Sequence, residues 1–195
     1  SRGQGDVIAL HEMRYNVDLA RTFVEWIPRV QSEYAGLASV TFRGLPALKV
    51  PAEWKSEEPS ADLAIVVSNN GSASNWPLSR YESWAESALS EGKSVSFLVS
   101  GQDAEERRRA LESSTVVRKG ARVVTSFRRV GELIAWLAAS GEVLSSSTGP
   151  LHLAHAAGVP VVGVYPDRPL PQTFARWRPD GYWHAAAVRY RTFTP

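Results

Sequence analysis

The segment 145–152, SSSTGPLH, combines residue types that suit the binding of an anion. It joins a predicted strand to a predicted helix, and Pro150 suits the first helical position because its φ is fixed and no N–H is needed there. Ser147, Thr148 or Gly149 would then cap the helix, and Gly149 would let a ligand approach the backbone. Free N–H groups and the positive end of the helix dipole would face that ligand. The pattern therefore predicts a phosphate or pyrophosphate site at residues 147–150, hereafter the STGP turn.

Two of the four histidines follow this turn. His152 falls in the first helical turn, where a bound phosphate would favour its protonated form. His155 lies three residues further on and is expected to pack on the flank of the helix. The pair has no glutamate between its members and no cysteine elsewhere to complete a zinc set, so no metal site is predicted.

A second loop, residues 68–75, has the same character. It follows the apolar run Leu63–Val67 and precedes a predicted helix. Its candidate donors, from backbone and hydroxyl groups, are Asn70, Gly71, Ser72 and Ser74. Each loop alone could have a purely structural role, because Ser, Thr, Gly and Pro also cap helices and form turns without any ligand. Two such loops at one sheet edge favour a ligand site.

Strands and helices alternate along most of the chain. Strands are predicted at Val7–Leu10, Ala47–Val50, Leu63–Val67, Val95–Val99, Ala121–Val124, Val143–Ser145, Val161–Tyr165 and Ala185–Val188. Helices are predicted at Asn16–Trp26, Leu78–Leu89, Ala104–Leu111, Val130–Ala139 and Leu151–Ala157. This alternation, with continuous apolar strands, predicts an α/β fold with a doubly wound, Rossmann-like parallel sheet. Such sheets bind ligands beyond the carboxyl ends of their strands.

Bulk composition excludes several classes of protein. The 195 residues include no cysteine, and the net charge is +2. No apolar run is long enough to span a membrane, and no signal peptide is recognised at the start. The arginines at 107–109 follow two glutamates and look like a solvated helix face, so no nucleic-acid partner is predicted.

The chain is expected to divide into a linking segment, 1–55, and a binding domain, 56–195. The start without Met suggests a piece of a longer protein.

Several motifs resemble those of glycosyltransferase family 9, the ADP-heptose:lipopolysaccharide heptosyltransferases and their relatives. STGPLHLAHAAGVPVV, residues 147–162, is similar to the family's D-[ST]-G-x-x-H-L-A segment. GSASNWP, residues 71–77, resembles its G-A-S-x-x-K-x-W-P loop. Gly101 with Glu105, the turn 125–127 and RWRP at 176–179 also look like family features. The likeness covers essentially the whole chain.

This resemblance implies one half of a GT-B glycosyltransferase, the half that binds a nucleotide-diphospho-sugar, most simply an ADP-sugar. It implies a separate N-terminal acceptor domain that carries the catalytic base, and a glycan or glycolipid acceptor. No cofactor or metal is implied. The chain alone would bind donor without transferring it. The full protein would be cytoplasmic and could sit peripherally at the inner membrane face.

By this resemblance Ser147, Thr148, Gly149 and the second loop bind the diphosphate, His152 stabilises the leaving group, and Glu105 or Glu106 touches ribose. Both glutamates could equally be plain surface charges.

Two positions depart from the family pattern. Ser147 stands where the family has aspartate, and Ser74 and Asn75 stand where it has lysine. The positive charge could come instead from Arg128, Arg129 or Arg168. Two alternatives therefore stay open at this point. One is a nucleotide-binding or assembly module that has lost catalysis, and the other is a GT-B-like epimerase, for which the cleft offers few carboxylates.

Overall fold

The computed structural model describes residues 48–67, 75–166 and 188–193. The chain divides into two compact units, and all of these residues belong to the unit formed by Pro46–Asp167 and Pro179–Pro195. The strand predicted at Val7–Leu10 and the helix predicted at Asn16–Trp26 lie outside the described residues. The predicted division at residue 55 stays a prediction.

Within the described residues, six parallel strands form one sheet in the order β3-β2-β1-β4-β5-β6. Their bounds are β1 Leu63–Val66, β2 Val95–Leu98, β3 Arg122–Val124, β4 Glu142–Ser146, β5 Val161–Pro166 and β6 Val188–Phe193. This order is that of a Rossmann-like, doubly wound sheet. The fold predicted from the alternation of elements is confirmed.

The described helices are α1 Leu78–Ser90, α2 Ala104–Glu112, α3 Thr115–Arg118, α4 Val130–Ala138 and α5 Gly149–Ala156. The sequence pattern does not predict the short helix α3, because four residues give no periodicity to detect. Its one local signal is Ser114, whose side chain accepts a hydrogen bond from the Val117 N–H at 3.5 Å. Helix α5 begins at Gly149, two residues before the predicted start.

The core explains why the strands are continuous apolar runs. Leu63, Ile65 and Val67 pack with Tyr81 and Ala85 of α1 in one buried cluster. Because side chains alternate along a strand, Ala64 and Val66 point to the opposite face, and both are also fully buried. On that side α4 packs on α5, which contacts β4 and β5. Both sheet faces are covered, as a parallel sheet requires.

The connector before β1 runs across the helices instead of joining the sheet. The strand predicted at Ala47–Val50 is wrong for residues 48–50, which are irregular. The Leu48 N–H donates to the Ala156 carbonyl at the end of α5, 2.9 Å away, and so satisfies a helix-end acceptor. Further along, the Trp136 indole N–H donates to the Pro59 carbonyl at 3.0 Å.

The last strand extends beyond its predicted end. The apolar pattern predicts it at Ala185–Val188; residues 185–187 lie outside the described residues, and Val188 begins β6, Val188–Phe193, which pairs with all of β5. Because arginine alternates with other residues in this strand, its sequence contains no continuous apolar run from which a strand could be predicted. As the edge strand of the described sheet it needs fewer buried side chains.

Candidate functional site

The STGP turn lies at the point where the winding of the sheet reverses. From β1 the chain proceeds through β2 to β3 on one side, and from β4 it proceeds through β5 to β6 on the other. The two central strands are neighbours, with Val66 opposite Ser145. In open α/β sheets the crevice outside the carboxyl ends of such strands is where ligands bind. The second loop follows β1 at this same edge, but its candidate residues Asn70, Gly71, Ser72 and Ser74 lie outside the described residues.

Thr148 is the residue that precedes helix α5. Its backbone is extended (φ −127°, ψ 168°), and its own side chain makes no capping hydrogen bond to the first helical turn. The Thr148 hydroxyl instead lies 3.1 Å from the hydroxyl of Ser145, which is fully buried. The Thr148 N–H donates to the Ser146 carbonyl at 2.7 Å. The turn is thus tied to the end of β4, and the Thr148 hydroxyl is not used to cap helix α5.

Gly149, not Pro150, takes the first helical position. This corrects the prediction, which gave Pro150 that place. Pro150 is second and lacks only an N–H that has no partner within the helix. Gly149 has a negative φ, so the turn does not require glycine for its conformation. A Cβ built on Gly149 would meet nothing within 4 Å, so the space beside this backbone is open.

Ser146 adds a buried polar group to the end of β4. Its side chain is fully buried, and its hydroxyl has no hydrogen-bond partner within the part of the chain that the structure describes. Buried hydroxyls are usually paired, because leaving one unpaired costs about 1–3 kcal/mol. An unsatisfied hydroxyl at the switch point is a feature that a bound ligand could satisfy.

The two histidines of α5 have different surroundings. His152 is half-buried in the first turn of the helix, near the STGP turn. His155 is 2% exposed and belongs to the interior. The expectation that His155 is a packing residue is therefore confirmed, while a role for His152 in binding stays a prediction.

Glu105 is engaged by arginines of its own helix. Its carboxylate accepts hydrogen bonds from the Arg108 guanidinium at 2.8 and 2.9 Å and from the Arg109 Nε at 2.8 Å. These bonds lower the pKa of Glu105 from 4.5 to about 2. The position at the start of α2 is on the ligand edge of the sheet, but any ribose hydroxyl would compete with two guanidinium partners. Its assignment to the donor stays a prediction.

Size alone does not identify the site among the depressions of this unit. A groove of about 560 Å³ lies at the opposite, amino edge of the sheet. Its lining includes Glu142 and Arg189, which pair with each other. Because amino ends of parallel strands are not where such sheets bind ligands, this groove is a poor candidate for the chemistry.

The cavity at the carboxyl edge, hereafter the edge cavity, measures about 330 Å³. Its lining residues come from the ends of β2 and β3 and the starts of α4 and α5: Leu98, Ser100, Thr125, Ser126, Phe127, Arg129, Val130, Leu133 and Pro150. Five of these nine are apolar, and none is a carboxylate. Pro150 places the cavity directly against the first turn of α5. Sequence analysis identifies residues 125–127 only as a turn that resembles one in the family. It does not predict that this turn lines a cavity.

The described residues hold neither a metal-ligand cluster nor a membrane-spanning helix. In residues 48–67, 75–166 and 188–193, no three His, Cys, Asp or Glu side chains gather as metal ligands would. In that same part of the chain, no helix has the length and apolar character needed to cross a membrane.

Comparison with known proteins identifies relatives of this fold. The model of glycosyltransferase family 9 (heptosyltransferase) matches residues 30–180, which is most of the chain. That match includes the STGP turn, both histidines of α5 and every residue that lines the edge cavity. No curated protein matched the chain significantly.

Solved structures with the same fold include a family 9 glycosyl transferase from Veillonella parvula, at 18% identity and a TM-score of 0.58 over 82% of this chain. E. coli ADP-heptose lipopolysaccharide heptosyltransferase II gives 18% identity and a TM-score of 0.54 over 82%. E. coli heptosyltransferase WaaC, solved with ADP, gives 17% and 0.53 over 80%. This chain spans 46%, 48% and 47% of those proteins, respectively, so it corresponds to less than half of each.

Proposed function

Because the chain belongs to glycosyltransferase family 9, we propose that it is the donor-binding half of an inverting glycosyltransferase similar to the heptosyltransferases. It would form one of the two Rossmann-like halves of a GT-B enzyme. The donor is a nucleotide-diphospho-sugar, with an ADP-sugar favoured by the neighbour that was solved with ADP.

The observation that carries this proposal is the position of the STGP turn. It follows β4 at the switch point of the sheet, and the Thr148 side chain does not cap the helix behind it. The backbone at Gly149 faces open space. Backbone N–H groups and the positive end of a helix dipole suit a diphosphate. The diphosphate would lie against Ser147, Thr148 and Gly149.

The edge cavity gives the nucleoside a place beside that diphosphate. It reaches the first turn of α5 through Pro150, and its walls include Leu98, Phe127 and Val130. Apolar walls with a few hydroxyl groups are typical of sites that bury a flat heterocyclic base. Ser100, Thr125 and Ser126 supply such hydroxyl groups here.

The chemistry of the reaction assigns a clear task to this half. An acceptor hydroxyl attacks the anomeric carbon, its proton passes to a base, and the bond from that carbon to the diphosphate oxygen breaks. The nucleoside diphosphate leaves with the electron pair. The N-terminus of α5 and His152 would stabilise the negative charge that develops on it. No metal or organic cofactor is needed for this assignment.

The remaining parts of the reaction would come from outside this chain. A second half would bind the acceptor, a glycan or glycolipid, and would hold the general base. The complete enzyme would work in the cytoplasm, at the inner membrane face when its acceptor is a lipid. The chain by itself would bind donor but would not transfer sugar.

The test is calorimetric titration of the chain with ADP, UDP and GDP, repeated with the Thr148→Ala, His152→Ala double variant. We expect saturable binding of one nucleotide, with affinity lowered at least about tenfold in the variant, or about 1.4 kcal/mol. No binding of any nucleotide by the unaltered chain would contradict the proposal. Unchanged affinity in the variant would contradict the placement of the diphosphate.

A second candidate is a nucleotide-binding module without transferase activity. Two observations favour it: Ser147 stands where the family pattern has an acid, and Glu105 is already held by two arginines. A protein that joins this chain to its acceptor half distinguishes the candidates. Release of nucleoside diphosphate that depends on acceptor, above the rate of donor hydrolysis, supports the transferase, whereas donor binding without such release supports the module.

A further inference from the structure

A bound nucleoside diphosphate needs more positive charge than the STGP turn supplies. Such a ligand carries more than one negative charge, whereas a helix N-terminus is equivalent to roughly half an elementary charge. A nearby cation would therefore strengthen binding and stabilise the leaving group. The sequence offers Arg128, Arg129 and Arg168 for this role, and Arg168 lies outside the described residues.

Arg129 differs from every other arginine in the described part of the chain. Most of the others are held by hydrogen bonds or ion pairs: Arg107, Arg108, Arg109, Arg118, Arg122, Arg128 and Arg189. Arg80 and Arg191 stack on tryptophan rings. Within the described residues, Arg129 forms none of these contacts, so its charge is available to a ligand.

Arg129 also lies in the right place. It lines the edge cavity together with Pro150, which belongs to the first turn of α5. No carboxylate lines that cavity. The nearest acid along its helix, Glu132, accepts a hydrogen bond from the Arg128 N–H at 3.1 Å, just before the start of α4. Nothing in the cavity lining therefore competes for the charge of Arg129.

Arg128, the adjacent cation, is neither free of an acidic partner nor part of the cavity lining. It lies 3.6 Å from the Glu57 carboxylate, and it does not line the edge cavity. Both arginines are exposed at the start of the same helix, so they form a matched pair for experiment.

We infer that Arg129 is the residue that binds the diphosphate of the donor nucleotide from the cavity side, opposite the N-terminus of α5. This inference rests on the proposed function and assigns its missing positive charge to one side chain. It makes Arg129 a binding residue whose contribution grows with the number of phosphates on the ligand.

The experiment titrates the full chain with a nucleoside diphosphate and with the corresponding monophosphate. The variants are Arg129→Gln, Arg129→Lys and the control Arg128→Gln. We expect Arg129→Gln to weaken diphosphate binding at least about tenfold and monophosphate binding less. Arg129→Lys should recover part of the loss, because it keeps the charge but not the planar fork. The control should bind like the unaltered chain, and thermal unfolding should be the same for all of these exposed variants.

The possible outcomes distinguish a failure of the Arg129 inference from a failure of the proposed donor-binding function. If the unaltered chain binds no nucleotide, the proposed function fails and the inference with it. If the chain binds nucleotide and Thr148→Ala weakens that binding while Arg129→Gln does not, the inference alone is wrong. An equal loss for diphosphate and monophosphate would limit the contact of Arg129 to the α-phosphate or the nucleoside, and would overturn a contribution that grows with the number of phosphates.

Discussion

The hydroxyl oxygens of Ser145 and Thr148 lie 3.1 Å apart, which ties the last buried residues of β4 to the residue that opens helix α5. Thr148 would ordinarily use this hydroxyl to cap its helix. Here it turns back to the strand, and it makes no capping hydrogen bond to the first helical turn. This contact and the hydrogen bond from the Thr148 N–H to the Ser146 carbonyl hold the turn, so the Thr148 hydroxyl does not occupy the helix N-terminus.

This relationship predicts the result of a double-mutant cycle. Thr148→Val keeps the shape of the side chain but leaves the buried Ser145 hydroxyl unpaired, so it should lower the free energy of unfolding by about 1–3 kcal/mol. Adding Ser145→Ala to Thr148→Val should recover part of that loss, because the buried polar group is gone. Urea unfolding of the unaltered chain, the two single variants and the double variant gives the four free energies that the cycle needs. Strictly additive effects would contradict the pairing.

Gly149 offers a variant that separates stability from binding. A Cβ there meets open space and φ is negative, so Gly149→Ala should leave unfolding unchanged or stabilise the helix by up to about 1 kcal/mol. The added methyl group would occupy the space that a diphosphate needs, and nucleotide affinity should fall about tenfold. Calorimetry and thermal unfolding on one preparation test both parts.

Gly131→Ala is the matching control in helix α4. A Cβ on Gly131 would lie 3.0 Å from the Trp54 ring, so this substitution should destabilise the chain by about 1–3 kcal/mol through overpacking. Equal stability of the two glycine variants would contradict the described packing. Unchanged nucleotide affinity in Gly149→Ala would show that no ligand approaches that backbone.

The two histidines of α5 should respond differently to truncation. His155→Ala removes a side chain that is 2% exposed and should lower the free energy of unfolding by about 2 kcal/mol or more. His152→Ala removes a half-buried side chain and should cost less than about 1 kcal/mol. Chemical denaturation of the two variants tests the difference. A larger cost at His152 would contradict the burial of the helix.

Acid should destabilise the chain partly through Glu105. Its pKa is lowered to about 2 in the folded protein because Arg108 and Arg109 hydrogen-bond to it, against 4.5 for the free group. The stabilisation is therefore complete above pH 4.5 and is lost as the pH falls from 4.5 toward 2. Glu105→Gln should flatten this part of the stability profile, measured by urea unfolding at each pH.

Glu106→Gln provides the control for that measurement, since Glu106 forms no ion pair within the described residues. The acid limb of its profile should match that of the unaltered chain. Asp62 should add a second component, because hydrogen bonds from Ser94 lower its pKa below 3.8. An unchanged profile in Glu105→Gln would contradict the arginine pairing.

Much of the fold could be predicted from local pattern. The strand at Leu63–Val67 and the helix at Leu78–Leu89 each lie within one residue of the observed bounds, because apolar runs and helical spacing are properties of short segments. The strand predicted at residues 47–50 is wrong for residues 48–50, because the backbone there bonds to a helix end and not to a neighbouring strand. That part crosses helix ends, where Leu48 meets Ala156.

The candidate site, like the fold, could be predicted from local sequence only in part. Local sequence is enough to predict a Ser-Thr-Gly-Pro turn between a buried strand and a helix carrying His152, since turn and capping chemistry depend on neighbouring residues. Three further features come from tertiary structure: the turn lies at the switch point, Thr148 bonds to Ser145, and Arg129 and Pro150 line one cavity. Arg129 and Pro150 are 21 positions apart in the sequence. Their proximity depends on how strands are ordered in the sheet, and strand order is a long-range property that no local pattern encodes.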